Sequence, residues 1–142
     1  MSAPYHGSCY CGDIEIELAD EIDGGILCHC RTCQKLHTHN SYNVQSTQDK
    51  LKVVKGKTAI YKDDKTDSGS AIYRHFCGNC GSALFSFPDL FPGAAFVKIG
   101  ALDRAAEIKP KAEIYVDTAM GHSVLKKDAG TKQFEGFMAK EV

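Results

Sequence analysis

The stretch Cys-His-Cys-Arg-Thr-Cys at residues 28–33 constrains this chain more than any other. It contains three of the seven cysteines, Cys28, Cys30 and Cys33. Closely spaced sulfurs converge on one small cation at little cost in loop-closure entropy. Thiolates select soft or borderline metals, among which zinc is the commonest in proteins. We therefore expect a metal here with three protein ligands, which leaves a tetrahedral ion one ligand short, as in catalytic zinc sites.

Length and composition fit a single domain over residues 1–142 with a substantial core. The net charge of −1 implies no bulk attraction to nucleic acid or to an anionic membrane surface. The sequence has no apolar run of the roughly 18 residues that a membrane-spanning helix needs. Residues 1–6 lack the basic start and apolar stretch of a signal peptide, which predicts a cytoplasmic protein. In a reducing compartment, clustered cysteines bind metal more often than they form disulfides.

The rest of the chain reads as short strands separated by polar or glycine-containing breaks. Residues 13–18 alternate acidic and apolar side chains, which is the period of a strand with one buried face. The charged run at 62–70 is typical of an exposed hairpin loop. We also expect strands at 41–44, 51–54, 59–62, 71–76, 83–87, 94–99 and 113–116, and helical turns at 31–36 and 102–106. This pattern predicts a mainly β domain.

A second metal site is expected at Cys77 and Cys80, whose C-x-x-C-G turn is the zinc-knuckle pattern. Cys9 and Cys11 lie on a similar turn that also ends in glycine, and they most economically complete four ligands. Two alternatives stay open. Cys9 and Cys11 could instead join the central cysteines, leaving Cys77 and Cys80 to find histidines. Alternatively, one of the histidines could close the central site as a structural Cys3His centre; these are His29, His37, His39 and His75.

Three cysteine motifs in this order resemble the glutathione-dependent formaldehyde-activating enzyme family, whose domain is shared with centromere protein V. The matching segments are Gly-Ser-Cys-Tyr-Cys-Gly at 7–12, Cys-His-Cys-Arg-Thr-Cys-Gln-Lys at 28–35 and Phe-Cys-Gly-Asn-Cys-Gly-Ser at 76–82. The resemblance implies an Mss4-like fold of twisted antiparallel sheets joined by a zinc site. It also implies two zinc ions, a structural one on Cys9, Cys11, Cys77 and Cys80 and a catalytic-type one on Cys28, Cys30 and Cys33.

The family is classed with carbon–sulfur lyases, and its namesake reaction is the reversible condensation of glutathione with formaldehyde. The resemblance thus implies a small thiol or thiol adduct as substrate. The family commonly carries a tryptophan in its C-terminal region, and this chain has none. Residues 118–137, with His122 and Lys126, are therefore expected to build a different pocket wall.

The expected chemistry is addition of a zinc-held thiolate to an aldehyde carbonyl, or the reverse reaction. Candidate acids for the carbonyl oxygen are His29, His37, His39 or a bound water. Arg31 and Lys35 flank the thiolates, either as a clamp for a substrate carboxylate or as solvated surface charges.

Three polar residues follow the central motif and are pocket candidates, although core or surface roles suit each of them: Asn40, Tyr42 and Asn43. The competing function is a non-catalytic, zinc-stabilised interaction module of the Mss4-like type. The resemblance to centromere protein V implies that such a role draws on basic sequence outside the domain. The near-zero net charge therefore favours the enzyme.

Overall fold

The computed structural model describes residues 3–121, 124–125, 130–137 and 140–142. Within the described residues, one α-helix, α1, spans Arg31–His37, and four 3-10 turns span Gln48–Lys50, Ile99–Ala101, Ala105–Glu107 and Val116–Thr118. The strands are β1 (Tyr5–Ser8), β2 (Glu15–Leu18), β3 (Gly25–Cys28), β4 (Ser41–Thr47), β5 (Leu51–Lys55), β6 (Ala59–Asp63), β7 (Ile72–Phe76), β8 (Ala83–Pro88), β9 (Ala94–Lys98), β10 (Pro110–Ile114), β11 (Lys132–Glu135) and β12 (Lys140–Glu141). Within these ranges, no helix has the length and apolar character needed to cross a membrane.

The strands form two sheets, which confirms the mainly β prediction. A small sheet has the order β1-β2-β5, and a nine-stranded sheet has the order β12-β11-β10-β3-β4-β9-β8-β7-β6. Most neighbours are antiparallel, but β10 pairs in parallel with both β3 and β11. Parallel neighbours need a long connection, and the chain between β3 and β10 provides one.

The main core lies where the two sheets pack together. Its fully buried members include Tyr5 of β1, Leu18 of β2, Leu84 of β8 and Val97 of β9. Because successive side chains of a strand point to opposite faces of the sheet, one face of β4, β8 and β9 packs on this core. A smaller apolar cluster contains Ile26, Cys28, Cys33, Ala112 and Ile114, and it surrounds the central cysteines.

The register of the large sheet carries polar residues onto the face away from the main core. Cys28 on β3 lies opposite Ser41 on β4, and Asn43 lies opposite Lys98 on β9. Further along, Ser86 on β8 lies opposite Arg74 on β7. Because side chains two residues apart share a face, this pairing aligns these groups across the sheet.

Most sequence-predicted strands are present within a residue or two, and the loop at 62–70 joins β6 to β7 as a hairpin. Strand β1, Tyr5–Ser8, was not expected from the sequence. One expectation was wrong in its bounds, because the strand expected at 113–116 occupies Pro110–Ile114. Tyr115 ends that strand because it adopts left-handed angles, φ 57° and ψ 40°. Proline is tolerated at the first residue of a strand, which allows the earlier start at Pro110.

Candidate metal centres

Cys9 and Cys11 lie on the turn after β1, and Cys77 and Cys80 lie on the turn between β7 and β8. In each turn, the backbone N–H of the final glycine donates to the carbonyl oxygen of the first cysteine. Gly12 N lies 3.2 Å from Cys9 O, and Gly81 N lies 2.8 Å from Cys77 O. Both glycines have positive φ, 82° and 79°, a conformation that side-chain-bearing residues rarely adopt.

All four sulfurs of these turns lie within 4.8 Å of one another. The Sγ atoms of Cys9 and Cys11 are 3.6 Å apart, and those of Cys11 and Cys77 are 3.8 Å apart. A tetrahedral zinc with Zn–S bonds of about 2.3 Å places its sulfurs about 3.8 Å apart. The four-sulfur group, Cys9, Cys11, Cys77 and Cys80, therefore fits one tetrahedral ion without rearrangement.

The four-sulfur group is further organised by donors that favour thiolates. Ile14 N donates to Cys9 Sγ at 3.3 Å, and Asn79 Nδ2 donates to Cys11 Sγ at 3.4 Å. The Ser82 hydroxyl, 3.1 Å from Cys80 Sγ, helps to lower the pKa of Cys80 to about 5. Ser82 Oγ also accepts a hydrogen bond from Tyr10 N at 3.0 Å, so it links the two turns directly.

The three-sulfur group, Cys28, Cys30 and Cys33, is built where β3 meets α1. Cys28 ends β3, Cys30 is the N-cap residue of α1, and Cys33 lies in its first turn. Cys33 N donates to Cys30 Sγ at 3.3 Å, so the start of the helix presents a backbone N–H group to a sulfur. The three sulfurs lie within 4.8 Å of one another. Three thiolate ligands at this spacing suit a zinc-type ion.

Among the described residues, neither sulfur group includes a histidine. The geometry thus groups Cys9 and Cys11 with Cys77 and Cys80. His75 stacks on Phe85 with ring centroids 4.4 Å apart and shares a 2.7 Å hydrogen bond with Thr58. The three-sulfur group has no fourth side-chain ligand in the described part of the chain.

A directional hydrogen-bond chain ends on Cys33. Lys98 Nζ donates to Asn43 Oδ1 at 2.6 Å, and Asn43 Nδ2 donates to Ser41 Oγ at 2.9 Å. The Ser41 oxygen lies 3.0 Å from Cys33 Sγ. Because an ammonium only donates, the first two bonds have a fixed direction, and a Cys33 thiolate, which can only accept, takes the Ser41 hydroxyl proton as the last bond of the chain.

The three sulfurs influence one another's ionisation strongly. Hydrogen bonds from Cys28 and Cys30 lower the pKa of Cys33 to about 2, and bonding to Cys30 and Cys33 raises the pKa of Cys28. Without a cation, the group therefore holds fewer than three negative charges. Binding of a cation then releases protons, since thiolates are the ligands.

The three-sulfur group opens into a cavity of about 320 Å³, which we call cavity 1. It lies against the polar face of the large sheet, and Ser41, Asn43, Arg74 and Lys98 line it together with the cysteines. Burial lowers the pKa of Lys98, an effect that the nearby Cys33 sulfur opposes. Cavity 1 is within the usual size range of small-molecule sites, which begins at about 300 Å³.

Of the two cations that flank the cysteines in the sequence, only Arg31 lines cavity 1. Arg31 lines cavity 1 and donates to Gln34 Oε1, whereas Lys35 is exposed and lines no cavity among the described residues. Asn43 lines cavity 1, but Tyr42 packs on the main core and donates to Ile108 O at 2.8 Å. Lys35 is therefore a surface charge rather than part of a carboxylate clamp, and Tyr42 is a core residue rather than part of the pocket.

None of the three candidate acid histidines lines cavity 1. His39 is exposed, and His37 lines a neighbouring cavity. His29 is fully buried, with Nε2 2.9 Å from Glu113 Oε1. The sequence reasoning missed Lys98 and Arg74, because sheet register brings them to the cysteines from distant strands.

Glu113 receives three hydrogen-bonding partners in a fully buried position. Besides His29, Leu125 N donates to Oε1 at 3.0 Å and Gln133 Nε2 donates to Oε2 at 2.8 Å. A buried carboxylate without such partners is costly. The bonds therefore fix the backbone between Cys28 and Cys30 to the C-terminal segment.

The C-terminal region contributes to the cavity wall, as expected. Thr118 and Phe137 line cavity 1, and Tyr115 lines it with its hydroxyl donating to Asp67 Oδ2 at 2.9 Å. His122 and Lys126, which were expected in the same wall, lie outside the described residues.

Known proteins resemble this chain in sequence and in fold. Residues 4–118 match the family model described as glutathione-dependent formaldehyde-activating enzyme. A Halomonas elongata protein named "Putative glutathione-dependent formaldehyde-activating enzyme" is 31% identical over 102 residues, which cover 68% of this chain and 64% of that protein. A crystal structure of a Rhodobacter sphaeroides protein superposes with a TM-score of 0.57 at 20% identity, covering 91% of this chain and 98% of that one, and supports the fold alone. The chain belongs to the glutathione-dependent formaldehyde-activating enzyme family.

Proposed function

We propose that this chain is a zinc-dependent carbon–sulfur lyase that catalyses reversible addition of a glutathione-type thiol to a small carbonyl compound. The observation that carries the proposal is the contrast between the two sulfur groups. The four-sulfur group has a complete tetrahedral ligand set, whereas the three-sulfur group lines cavity 1 without a fourth side-chain ligand among the described residues. Family membership and the name of the Halomonas relative support glutathione and formaldehyde as the substrate class.

We assign a structural zinc to Cys9, Cys11, Cys77 and Cys80 and a catalytic zinc to Cys28, Cys30 and Cys33, because both donor sets fit this ion. When bound by Cys28, Cys30 and Cys33, a zinc ion would hold a substrate thiol deprotonated at neutral pH. The Ser41 hydroxyl orients the Cys33 thiolate by donating to its sulfur, and Asn43 and Lys98 hold Ser41 in place.

The reaction is balanced without an external oxidant or reductant. The thiol gives up its proton, its sulfur forms a bond to the carbonyl carbon, and the carbonyl π electron pair moves to oxygen. The oxygen then takes a proton, giving a hemithioacetal, and the reverse sequence expels the thiolate. The developing oxygen charge needs a nearby donor in cavity 1.

Lys98 is the side chain we assign to that oxygen. Its ammonium has three protons, and Asn43 Oδ1 accepts one of them in the described structure. Lys98 lines cavity 1, so its remaining N–H groups are available to an occupant of that cavity. Arg31, at the same cavity, is suited to a substrate carboxylate because its guanidinium offers a planar pair of donors.

The proposal is tested by metal content per chain and by thiol-dependent consumption of formaldehyde. We expect two zinc ions per chain and consumption that requires glutathione. Lys98→Met should lower kcat/KM by about 100-fold, the typical loss for a removed charge-stabilising donor, with zinc content unchanged. Lys111→Met, at an exposed ion pair on β10, is the matched control and should retain full activity. Zinc-loaded protein with no glutathione-dependent consumption contradicts the proposal.

A further inference from the structure

A second cavity adjoins cavity 1 across three shared side chains. Cavity 2 has a volume of about 370 Å³, and Arg74, Ser86 and Lys98 line both cavities. No cysteine lines cavity 2. The two cavities therefore adjoin at these polar side chains, and cavity 2 lies on the side away from the three-sulfur group.

Much of the wall of cavity 2 is apolar. Leu36 comes from α1, Tyr61 from β6, Phe76 from β7, and Ala83 and Phe85 from β8. Phe85 also belongs to the main core, where its ring stacks on His75 at 4.4 Å and packs on Phe87 at 5.1 Å. Aromatic side chains supply a large apolar contact area, so such walls favour an apolar or aromatic group.

The side chains between the cavities are fixed rather than free to fill the space. Asp63 Oδ2 accepts bonds from Arg74 Nε at 2.9 Å and from Nη2 at 2.7 Å, and the arginine side chain is 16% exposed. Lys98 is held by Asn43 at 2.6 Å. Both cations keep N–H groups that have no acceptor in the described structure. A polar atom of a ligand therefore finds donors at the junction, with apolar space beyond it.

His37 adds one polar group to cavity 2. Its Nε2 atom is buried and has no hydrogen-bond partner among the described residues. Burial lowers the pKa of His37 to about 4, with the charges of Lys98 and Arg74 adding to the effect. The ring is therefore neutral at pH 7, and it can take one hydrogen bond from or to an occupant.

Building on the proposed function, we propose that cavity 2 binds the substituent of the carbonyl substrate, so that the chain acts on aldehydes bearing an apolar or aromatic group. The thiol lies at the three-sulfur group, the carbonyl oxygen lies at Lys98, and the substituent enters cavity 2. Formaldehyde has only hydrogens on its carbonyl carbon and would leave cavity 2 unused. The bonds formed and broken are those of the reaction given above.

The test compares phenylacetaldehyde with acetaldehyde, using glutathione as the thiol and the zinc-loaded full chain. Phenylacetaldehyde is acetaldehyde with one methyl hydrogen replaced by a phenyl group, so the two differ only in the apolar substituent. Apolar pockets discriminate by about 10-fold or more for groups of this kind. We expect kcat/KM for phenylacetaldehyde to exceed that for acetaldehyde by at least about tenfold in the unmodified protein.

Tyr61→Ala removes one wall of cavity 2 on an edge strand, where the side chain is already 49% exposed. It should abolish most of the phenylacetaldehyde preference and leave the acetaldehyde rate unchanged. Ile60→Ala is the matched control, because Ile60 is the adjacent residue, is 56% exposed and lines neither cavity. Ala83→Leu, which fills the cavity, should produce the same loss by a different route.

Equal kcat/KM values for the two aldehydes overturn the proposal, as does a preference that survives both Tyr61→Ala and Ala83→Leu. Failure of the proposed function looks different, because no aldehyde is then consumed in a glutathione-dependent manner. Binding of 2-phenylethanol, an unreactive analogue, separates these cases, since it requires cavity 2 but no turnover. Amide resonance shifts around Tyr61 and Phe85 are expected, and their absence contradicts the assignment of cavity 2.

Discussion

The two sulfur groups are chemically alike but differ in how the chain assembles them. The four-sulfur group joins turns that are 66 residues apart, between Cys11 and Cys77, and so connects the small sheet to the large one. The three-sulfur group comes from six consecutive residues at the junction of β3 and α1. The first arrangement holds distant parts of the fold together, and the second only organises a local loop.

This contrast predicts how much metal binding at each sulfur group contributes to the stability of the fold. At a site that brings distant segments together, metal binding energy is largely folding energy. At a local loop already held by a helix cap and a sheet, most of the structure exists without the ion. Packing supports the same distinction, because Cys9 and Cys77 belong to the main core, whereas Cys28 and Cys33 belong to the smaller apolar cluster.

The largest expected effect is that of Cys77→Ser. Loss of one ligand from the four-sulfur group should unfold the domain or destabilise it by several kcal/mol, since structural zinc contributes about 10 kcal/mol or more to folding. Thermal unfolding followed by circular dichroism measures this directly. Chelation of zinc from the unmodified protein should produce the same loss. A Cys77→Ser protein with an unchanged Tm would contradict a structural role for this group.

A smaller effect on stability, but a complete effect on turnover, is expected for Cys30→Ser. The variant should keep its fold, lose about one zinc per chain and lose thiol-adduct turnover. Zinc analysis and circular dichroism on the same sample check both parts. If Cys30→Ser unfolds the domain as completely as Cys77→Ser, the two sulfur groups are equivalent and the catalytic assignment fails.

The mildest of these effects is expected for Ser41→Ala. Removing the hydroxyl deletes the hydrogen bond to Cys33 Sγ but leaves all three sulfurs in place. Groups that orient metal ligands typically contribute 10- to 100-fold in metal affinity or activity. We therefore expect zinc affinity at the three-sulfur group to fall by about tenfold, measured by competition with a chelator. Ser46→Ala is the matched control, since Ser46 lies on the same strand and bonds Asp20 instead. Equal zinc affinities in the two variants contradict the role of Ser41.

The sequence allowed prediction of the features that are local in the chain. Both glycine-ended turns, the helical start at Cys30 and most strands follow from short patterns of residues. The sequence favoured the grouping of Cys9 and Cys11 with Cys77 and Cys80 but did not exclude their joining the central cysteines. The choice depends on how the two sheets pack, which short sequence patterns do not specify.

The sequence could not predict the cavity walls, because they depend on which strands pair and in which register. Lys98 reaches the site because β9 pairs with β4 and places Lys98 opposite Asn43. The two residues are 55 positions apart, and the sequence between them carries no local signal of that contact. The parallel pairing of β10 with β3 is likewise set by long-range packing, and it moves Glu113 next to His29.

The Glu113 carboxylate has one further implication for the organisation of this chain. Glu113 and His29 lie within residues 4–118, the part that matches the family model, whereas Leu125 and Gln133 lie beyond it. Two of the bonds that secure the loop between Cys28 and Cys30 thus originate in sequence that the family pattern does not describe. Substitutions in this C-terminal segment can therefore alter the setting of the three-sulfur group without touching a single cysteine.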